Sequence, residues 1–219
     1  MTAMDPLGVV SDKTRRAYDL AAAKYHELFQ SELDLKPYDR AILDIFAGRF
    51  ACGSIICDAG CGPSAHIGRH LYNKGMKVIG LDLSERCVQI AKEANPGMRF
   101  RCEDIAAMSF PDGVLDGIVS CHSIIHTPKP YIPRIFKEFH RALKPGGQLL
   151  TVVKAGSGEG YQDTLLDIPT EIYFSLFTEA EIADYYFRAG FTIGFLERRR
   201  PYEFEFKVDR LYAIGSKTS

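Results

Sequence analysis

The sequence predicts an α/β fold: a mostly parallel sheet with helices on both faces and a C-terminal antiparallel hairpin strand. Three observations carry this expectation. Short apolar runs alternate with amphipathic stretches through the middle of the chain. Glycine-rich turns follow the apolar runs. Near the end, two strand-like runs are separated only by Arg200-Pro201, too short a connection for a parallel crossover.

Each element follows from local chemistry. Ser54–Asp58 reads as a buried strand ending at Gly60, and Ser64–Asn73 as a helix stopping near Gly75. Lys77–Asp82 is the next strand. Ser84 is placed to cap a helix over Glu85–Ala94, which Asn95-Pro96-Gly97 ends. Met98–Arg101 and Val114–Ser120 are strands, the second introduced by the turn Phe110-Pro111-Asp112-Gly113. Tyr131–Leu143 is helical, with Pro133 tolerable in its first turn. Lys144-Pro145-Gly146-Gly147 reads as a stop, and Gln148–Lys154 as a strand. Thr178 and Glu181 form a capping box, Phe177 and Ile182 a hydrophobic staple, and the helix they start ends at Gly190. Phe191–Arg199 and Tyr202–Gly215 are the hairpin strands. Two helices broken at Pro37 precede the first strand, and the stretch 155–177 reads as irregular.

Composition narrows the function. The 219 residues are 46% hydrophobic and 25% charged, with 27 basic and 28 acidic side chains, an ordinary globular balance close to neutral. No general nucleic-acid or anionic-membrane surface is expected, and no apolar run reaches the roughly 20 residues that cross a bilayer. Met1–Pro6 has no basic start leading to an apolar stretch, so no secretory signal is expected. Six cysteines are too few for a disulfide scaffold in a chain of this length, and a cytoplasmic location is the default. No metal site is expected. Cys52, Cys57 and Cys61 lack zinc spacing, and His122 and His126 lack both the zincin glutamate and a secure helix.

Ligands of open α/β sheets bind beyond the carboxyl ends of the strands. The turns there are Asp58-Ala59-Gly60-Cys61-Gly62, Asp82-Leu83-Ser84, Glu103-Asp104-Ile105 and Cys121-His122-Ser123-Ile124-Ile125-His126. Gly60-Cys-Gly62-Pro-Ser-Ala65 fits a dinucleotide-binding pattern, but a carboxylate at Asp58 would repel a pyrophosphate. It suits a cationic ligand such as S-adenosyl-L-methionine, which carries an ammonium and a sulfonium. Asp82 suits ribose hydroxyls, having two acceptor oxygens. A third acid, Asp104, suits an adenine amino group.

With these segments in place, the chain resembles the class I S-adenosylmethionine-dependent methyltransferases, of the small-molecule type that includes the ubiquinone/menaquinone methyltransferases. The resemblance rests on Ile56–Gly62, Val78–Ser84, Arg101–Ile105, Phe110–Gly117 and Arg141–Gly147, in the family's order over about residues 11–195. Ser64 stands where the family often has a further glycine, and a serine there can cap a helix. The resemblance implies a Rossmann-like single domain over 1–219: a helical cap at 11–50, a cofactor-binding core at 51–154, a substrate-side insertion at 155–177, then the helix and hairpin of 178–219. It implies that Asp58, Ala59, Gly60, Cys61 and Gly62 line the methionine part of the cofactor. Asp82, Leu83 and Ser84 would hold ribose and adenine, Asp104 and Ile105 the adenine, and Cys121 and His122 would pass beneath. The product would be S-adenosyl-L-homocysteine.

Tyr18 and Tyr25 match tyrosines of the family's N-terminal helix. They also share a face with Ala21, Ala22, Leu28 and Phe29, so helix packing explains them equally. His126 is the candidate catalytic residue, as general base or as a residue that orients substrate; a structural histidine is the alternative. Arg198-Arg199-Arg200 reads as a solvated edge or, more sharply, as a phosphate contact. The expected activity is methyl transfer to a partly apolar small-molecule acceptor, by a monomer or homodimer that binds neither nucleic acid nor membrane. A nicotinamide-dependent oxidoreductase and a non-catalytic methyltransferase-fold partner subunit are the alternatives.

Overall fold

The computed structural model describes residues 6–218. The reading against a secretory signal falls mainly on 1–5, outside the described residues.

Three parallel strands, β1 (Ile55–Ala59), β2 (Lys77–Asp82) and β3 (Arg99–Cys102), are linked by α3 (His66–Asn73) and α4 (Glu85–Ala94). The chain then crosses to β4 (Leu115–Cys121), passes through α5 (Ile132–Ala142) and returns as β5 (Leu143–Lys154). After a hairpin of β6 (Glu159–Leu165) and β7 (Ile168–Ser175) come α6 (Glu179–Ala189), β8 (Phe191–Arg199) and β9 (Arg210–Lys217). The main sheet has the order β3-β2-β1-β4-β5-β9-β8, with β9 antiparallel to both neighbours. The expected fold class is therefore present. The direction of winding reverses between β1 and β4, which opens a crevice at their carboxyl ends.

Strand alternation sorts the core into two layers. Cys57 and Ala59 of β1 join a cluster with Phe136 and Phe139 of α5 and Ile182 of α6. Ile56, on the opposite face, joins Phe46, Leu71 and Val88. Phe46 belongs to α2 (Pro37–Ala47), whose first residue is Pro37. α1 (Pro6–Phe29) lies outside the sheet, and its Ala17 and Ala21 pack on Leu165 and Ile172 of the β6–β7 hairpin.

Three expectations require correction. The stretch 155–177 is not irregular: it pairs as β6 and β7, with Leu166 and Asp167 at positive φ in the turn. Its turn lacks the glycine that signals a tight hairpin. The C-terminal hairpin has no two-residue turn; Arg199 pairs with Arg210, and residues 200–209 form a loop that folds inward around Glu205. Lys144–Gly147 stops α5 but not the sheet, because Leu143 already pairs with Leu115 and the glycines form a bulge before Gln148 meets Gly117. The capping box of α6 is formed as expected.

Candidate functional site

A cleft partly open to solvent lies over the carboxyl ends of the parallel strands. Every candidate site residue lines it except Ala59. Ala59 is fully buried in the layer beneath α5, because alternation along β1 turns Asp58 toward the cleft and its neighbour away.

The turn after β1 is set by close packing. Gly60 and Gly62 have φ of +82° and +62°, a region that costs other residues energy. A Cβ on Gly60 would lie 2.2 Å from Cβ of Ser123, so the β1 turn rests directly on the loop after β4. Ser64 does not cap α3. Ala65 holds the cap position with φ +43° and no side-chain acceptor, and Ser64 Oγ instead meets His26 Nδ1 at 3.3 Å. The acceptor for the start of α3 is Asp58, whose Oδ2 takes the Gly68 N–H at 2.9 Å. Glycine at position 68 leaves room for that oxygen, since a Cβ there would sit 2.8 Å from it.

Asp82 accepts from Gly62 N at 2.9 Å and Ser84 N at 3.0 Å. Ser84 caps α4 through Cys87 N and donates to Asp19 of α1 at 2.5 Å, tying the cap helix to the second strand. Asp104 accepts from Ala106 N at 2.8 Å, which shapes the turn after β3. Burial pushes Asp58 up to about 7, against the Gly68 N–H and with added repulsion from Asp82. Burial likewise raises Asp82 to about 6, although backbone N–H groups oppose it. Among the described residues neither carboxylate has a Lys or Arg partner. Buried carboxylates carry a large desolvation cost unless a cation compensates them. Asp58, at the glycine turn, therefore suits a cationic group rather than a diphosphate, while Asp82 keeps acceptor oxygens for hydroxyls.

His126 lies in a one-turn helix, Ile124–His126. Its Nδ1 is 2.9 Å from the Tyr173 carbonyl, which can only accept, so Nδ1 carries the proton. Nε2 is then the acceptor, and the Tyr18 hydroxyl donates to it at 2.9 Å. Tyr25 packs next to Tyr18, with ring centroids 5.9 Å apart. Burial lowers His126 to about 4, so the imidazole is neutral near pH 7. His122, at the end of β4, has φ +55° and a buried Nδ1 without a partner. Burial, followed by nearby Lys36 and Lys154, lowers it to about 3.

Sequence reasoning missed a buried charged network along the cleft wall. Glu32 meets Lys36 at 2.6 Å and His66 at 2.8 Å. Burial would raise Glu32, but His66 and Lys36 outweigh it and hold the carboxyl at about 2. Lys36 also meets Glu205 at 3.1 Å. Arg199 meets Glu205 at 2.9 Å and Asp39 at 3.3 Å, and its Nε donates to the Tyr212 hydroxyl. The arginine run is thus not simply a solvated edge: the Arg199 side chain is 9% exposed, while that of Arg198 is half exposed against Asp209. The period-2 alternation of β8, with Glu197 and Arg199 on one face, was the available signal.

The sheet order, the glycine turn after β1 and the acids after β2 and β3 form the ligand crevice of a Rossmann-like α/β sheet. Residues 56–147 match the family model described as a methyltransferase domain. Phosphoethanolamine N-methyltransferase 3 of Arabidopsis thaliana is 30% identical over 126 residues, covering 56% of this chain and 22% of that protein. The 2-methyl-6-phytyl-1,4-hydroquinone methyltransferase of Synechocystis sp. is 33% identical over 101 residues, 45% of this chain and 31% of that protein. The chain therefore spans less than a third of the length of these two curated relatives. In fold it is similar to the 1,6-didemethyltoxoflavin-N1-methyltransferase of Burkholderia thailandensis, with TM-score 0.75 and 18% identity over 100% of this chain and 93% of that one. A S-adenosylmethionine-dependent methyltransferase from Methanosarcina mazei gives TM-score 0.72 and 22% identity, covering 80% and 97%. Among the described residues no helix is long and apolar enough to cross a membrane.

Proposed function

We propose that this protein moves the methyl group of S-adenosylmethionine to a nucleophilic atom of a small-molecule acceptor. The single observation that carries the reading is the pair Asp58 and Asp82: buried carboxylates around a glycine turn, without a cation of their own. Asp58, Gly60, Cys61 and Gly62 would hold the methionine end of the cofactor. Asp82, Leu83 and Ser84 would hold its ribose, and Asp104 and Ile105 its adenine. Cys121, His122, Tyr18 and Tyr25 would complete the enclosure. When bound, the cofactor supplies an electrophilic methyl carbon on a sulfonium. Holding a nucleophile in line with that carbon, away from water, is what the protein contributes.

His126 and Tyr18 would manage the acceptor's proton. With Nδ1–H fixed on the Tyr173 carbonyl, Nε2 is the basic atom that faces Tyr18. A hydroxyl or amine entering beside Tyr18 can pass its proton to Nε2 directly or through the phenol. The curated relatives whose names state phosphoethanolamine and a hydroquinone as substrates support a small acceptor. We place the activity in a monomer or homodimer in the cytoplasm, with no role for nucleic acid. Six free cysteines support a reducing compartment.

The test is transfer of a labelled methyl from the cofactor into a metabolite extract. Wild type is expected to label a small molecule, and His126→Gln to do so roughly a hundredfold more slowly. Full activity of His126→Gln at every pH would remove the proton-acceptor role. No labelled product from wild type, despite cofactor binding, would point to a non-catalytic subunit.

A further inference from the structure

At the sheet's other edge the charge balance inverts. Lys154 of β5 pairs with Arg210 of β9, and Arg210 with Arg199 of β8, so three cations stand in one row across the sheet. Side chains two apart on a strand share a face. Lys154 therefore continues the face of Val152, and Arg210 that of Tyr212; Val152 and Tyr212 line the cleft, and Lys154 and Arg210 stand next along their strands, beyond its lining.

The nearby carboxylates do not reach all three. Asp39 serves Arg199, and Glu205 serves Arg199, Lys36 and, at 3.5 Å, Arg210. Among the described residues Lys154 is left with aromatic faces alone: its Nζ lies 4.6 Å from the Phe174 ring centre and 5.1 Å from that of Phe206. Burial, then repulsion from Arg210, lowers its pKa to about 8, and no acid opposes them. Two further nitrogens here lack partners. Arg210 is 4% exposed and its Nε has no acceptor; the Nδ1 of His122, in the cleft wall, has none either. A buried donor without an acceptor costs about 1–3 kcal/mol, which applies to Arg210 Nε; the neutral His122 ring can offer Nδ1 as donor or acceptor, and Asp39 Oδ2 nearby also lacks a hydrogen-bond partner among the described residues.

We propose that this end of the cleft binds an anionic group of the methyl acceptor, a carboxylate or a phosphate monoester, with Lys154 as counter-ion and the unpartnered nitrogens of Arg210 and His122 beside it. The proposal rests on the methyltransferase reading of the cleft. It makes the acceptor a small molecule with its anion at the β5–β9 edge and its nucleophile toward Tyr18 and His126. A cation held only by ring faces retains its capacity to pair with an anion, and a charge-assisted hydrogen bond is stronger than a neutral one.

The test is calorimetric titration of the full chain, saturated with S-adenosylhomocysteine, by inorganic phosphate and separately by acetate at constant ionic strength. At least one anion is expected to bind saturably to wild type, and the one that does so identifies the group. Lys154→Met is expected to weaken it by roughly tenfold or more, and Lys154→Arg to restore it, with S-adenosylhomocysteine affinity the same in all three proteins. The Lys154 Nζ resonance of the wild type should shift during the titration, a readout that needs no variant. Absence of saturable binding by both anions, or unchanged binding to Lys154→Met, overturns the proposal. Failure to bind S-adenosylhomocysteine would instead sink the methyltransferase reading, and the anion titrations of the ligand-free protein would still decide this one.

Discussion

Where β1, β2 and β3 end, Asp58, Asp82 and Asp104 meet backbone N–H groups and, among the described residues, no cation. Where β5, β9 and β8 lie side by side, Lys154, Arg210 and Arg199 outnumber the carboxylates that reach them. In the first region parallel strands run into turns, and after β1 and β2 into helices, so N–H groups of the turns and helix starts converge on each carboxylate. The second is antiparallel, so the end of β5 meets the start of β9, and side chains must supply the polar partners. One cleft thus offers a place for a cation at one end and for an anion at the other.

The largest expected effect comes from breaking the cationic end. Glu205→Gln leaves Lys36, Arg199 and Arg210 without their shared carboxylate. Removing one partner of a buried ion network costs about 3–5 kcal/mol. A denaturant melt should show that loss, while cofactor affinity, set at the other end, stays within twofold or so of wild type.

Gly60→Ala acts on the seam between the two regions. The new methyl would collide with Ser123 at a backbone φ that disfavours alanine, so a loss of about 2–3 kcal/mol and a comparable fall in cofactor affinity are expected. A Gly60→Ala protein with wild-type melting and binding would mean that the β1 turn and the β4 loop do not pack as described.

Asp58→Asn sharpens the comparison, because it moves stability and binding in opposite directions. The amide oxygen still accepts from Gly68, but the buried charge is gone. The ligand-free protein should gain stability at neutral pH, while cofactor affinity falls roughly tenfold to a hundredfold. The sign of the pH effect follows. Folded Asp58 titrates near 7 against 3.8 when unfolded, so between these values the folded state binds the extra proton. Stability contributed by this group is therefore lost as pH rises through that window, and Asp58→Asn should flatten the slope. His126 works the other way. Its folded value of about 4 lies below the unfolded 6.5, so stability falls as pH drops from 6.5 toward 4.

Much of this was legible in the sequence because the relevant signals are local. The strand-end acids, the glycine turn, the Ser84 cap and the Thr178 capping box each depend on residues within a few positions of one another. The β6–β7 hairpin was not legible, since its turn, Leu166-Asp167, takes positive φ without glycine. The capping role of Asp58 was hidden because its partner, Gly68, lies ten residues on and is recognised only by the space it leaves. The Tyr18–His126 and Lys36–Glu205 contacts join residues more than a hundred positions apart, and composition carries no trace of them.

The most direct test of the central claim is calorimetric titration with S-adenosylmethionine, and in parallel with NAD, at about pH 5.5 and about pH 8. Uncompensated carboxylates titrating near 6 and 7 predict that S-adenosylmethionine binds, roughly tenfold more tightly at the higher pH, with protons released on binding, and that NAD does not bind. Tighter binding of NAD, or S-adenosylmethionine binding that neither varies with pH nor releases protons, would contradict it.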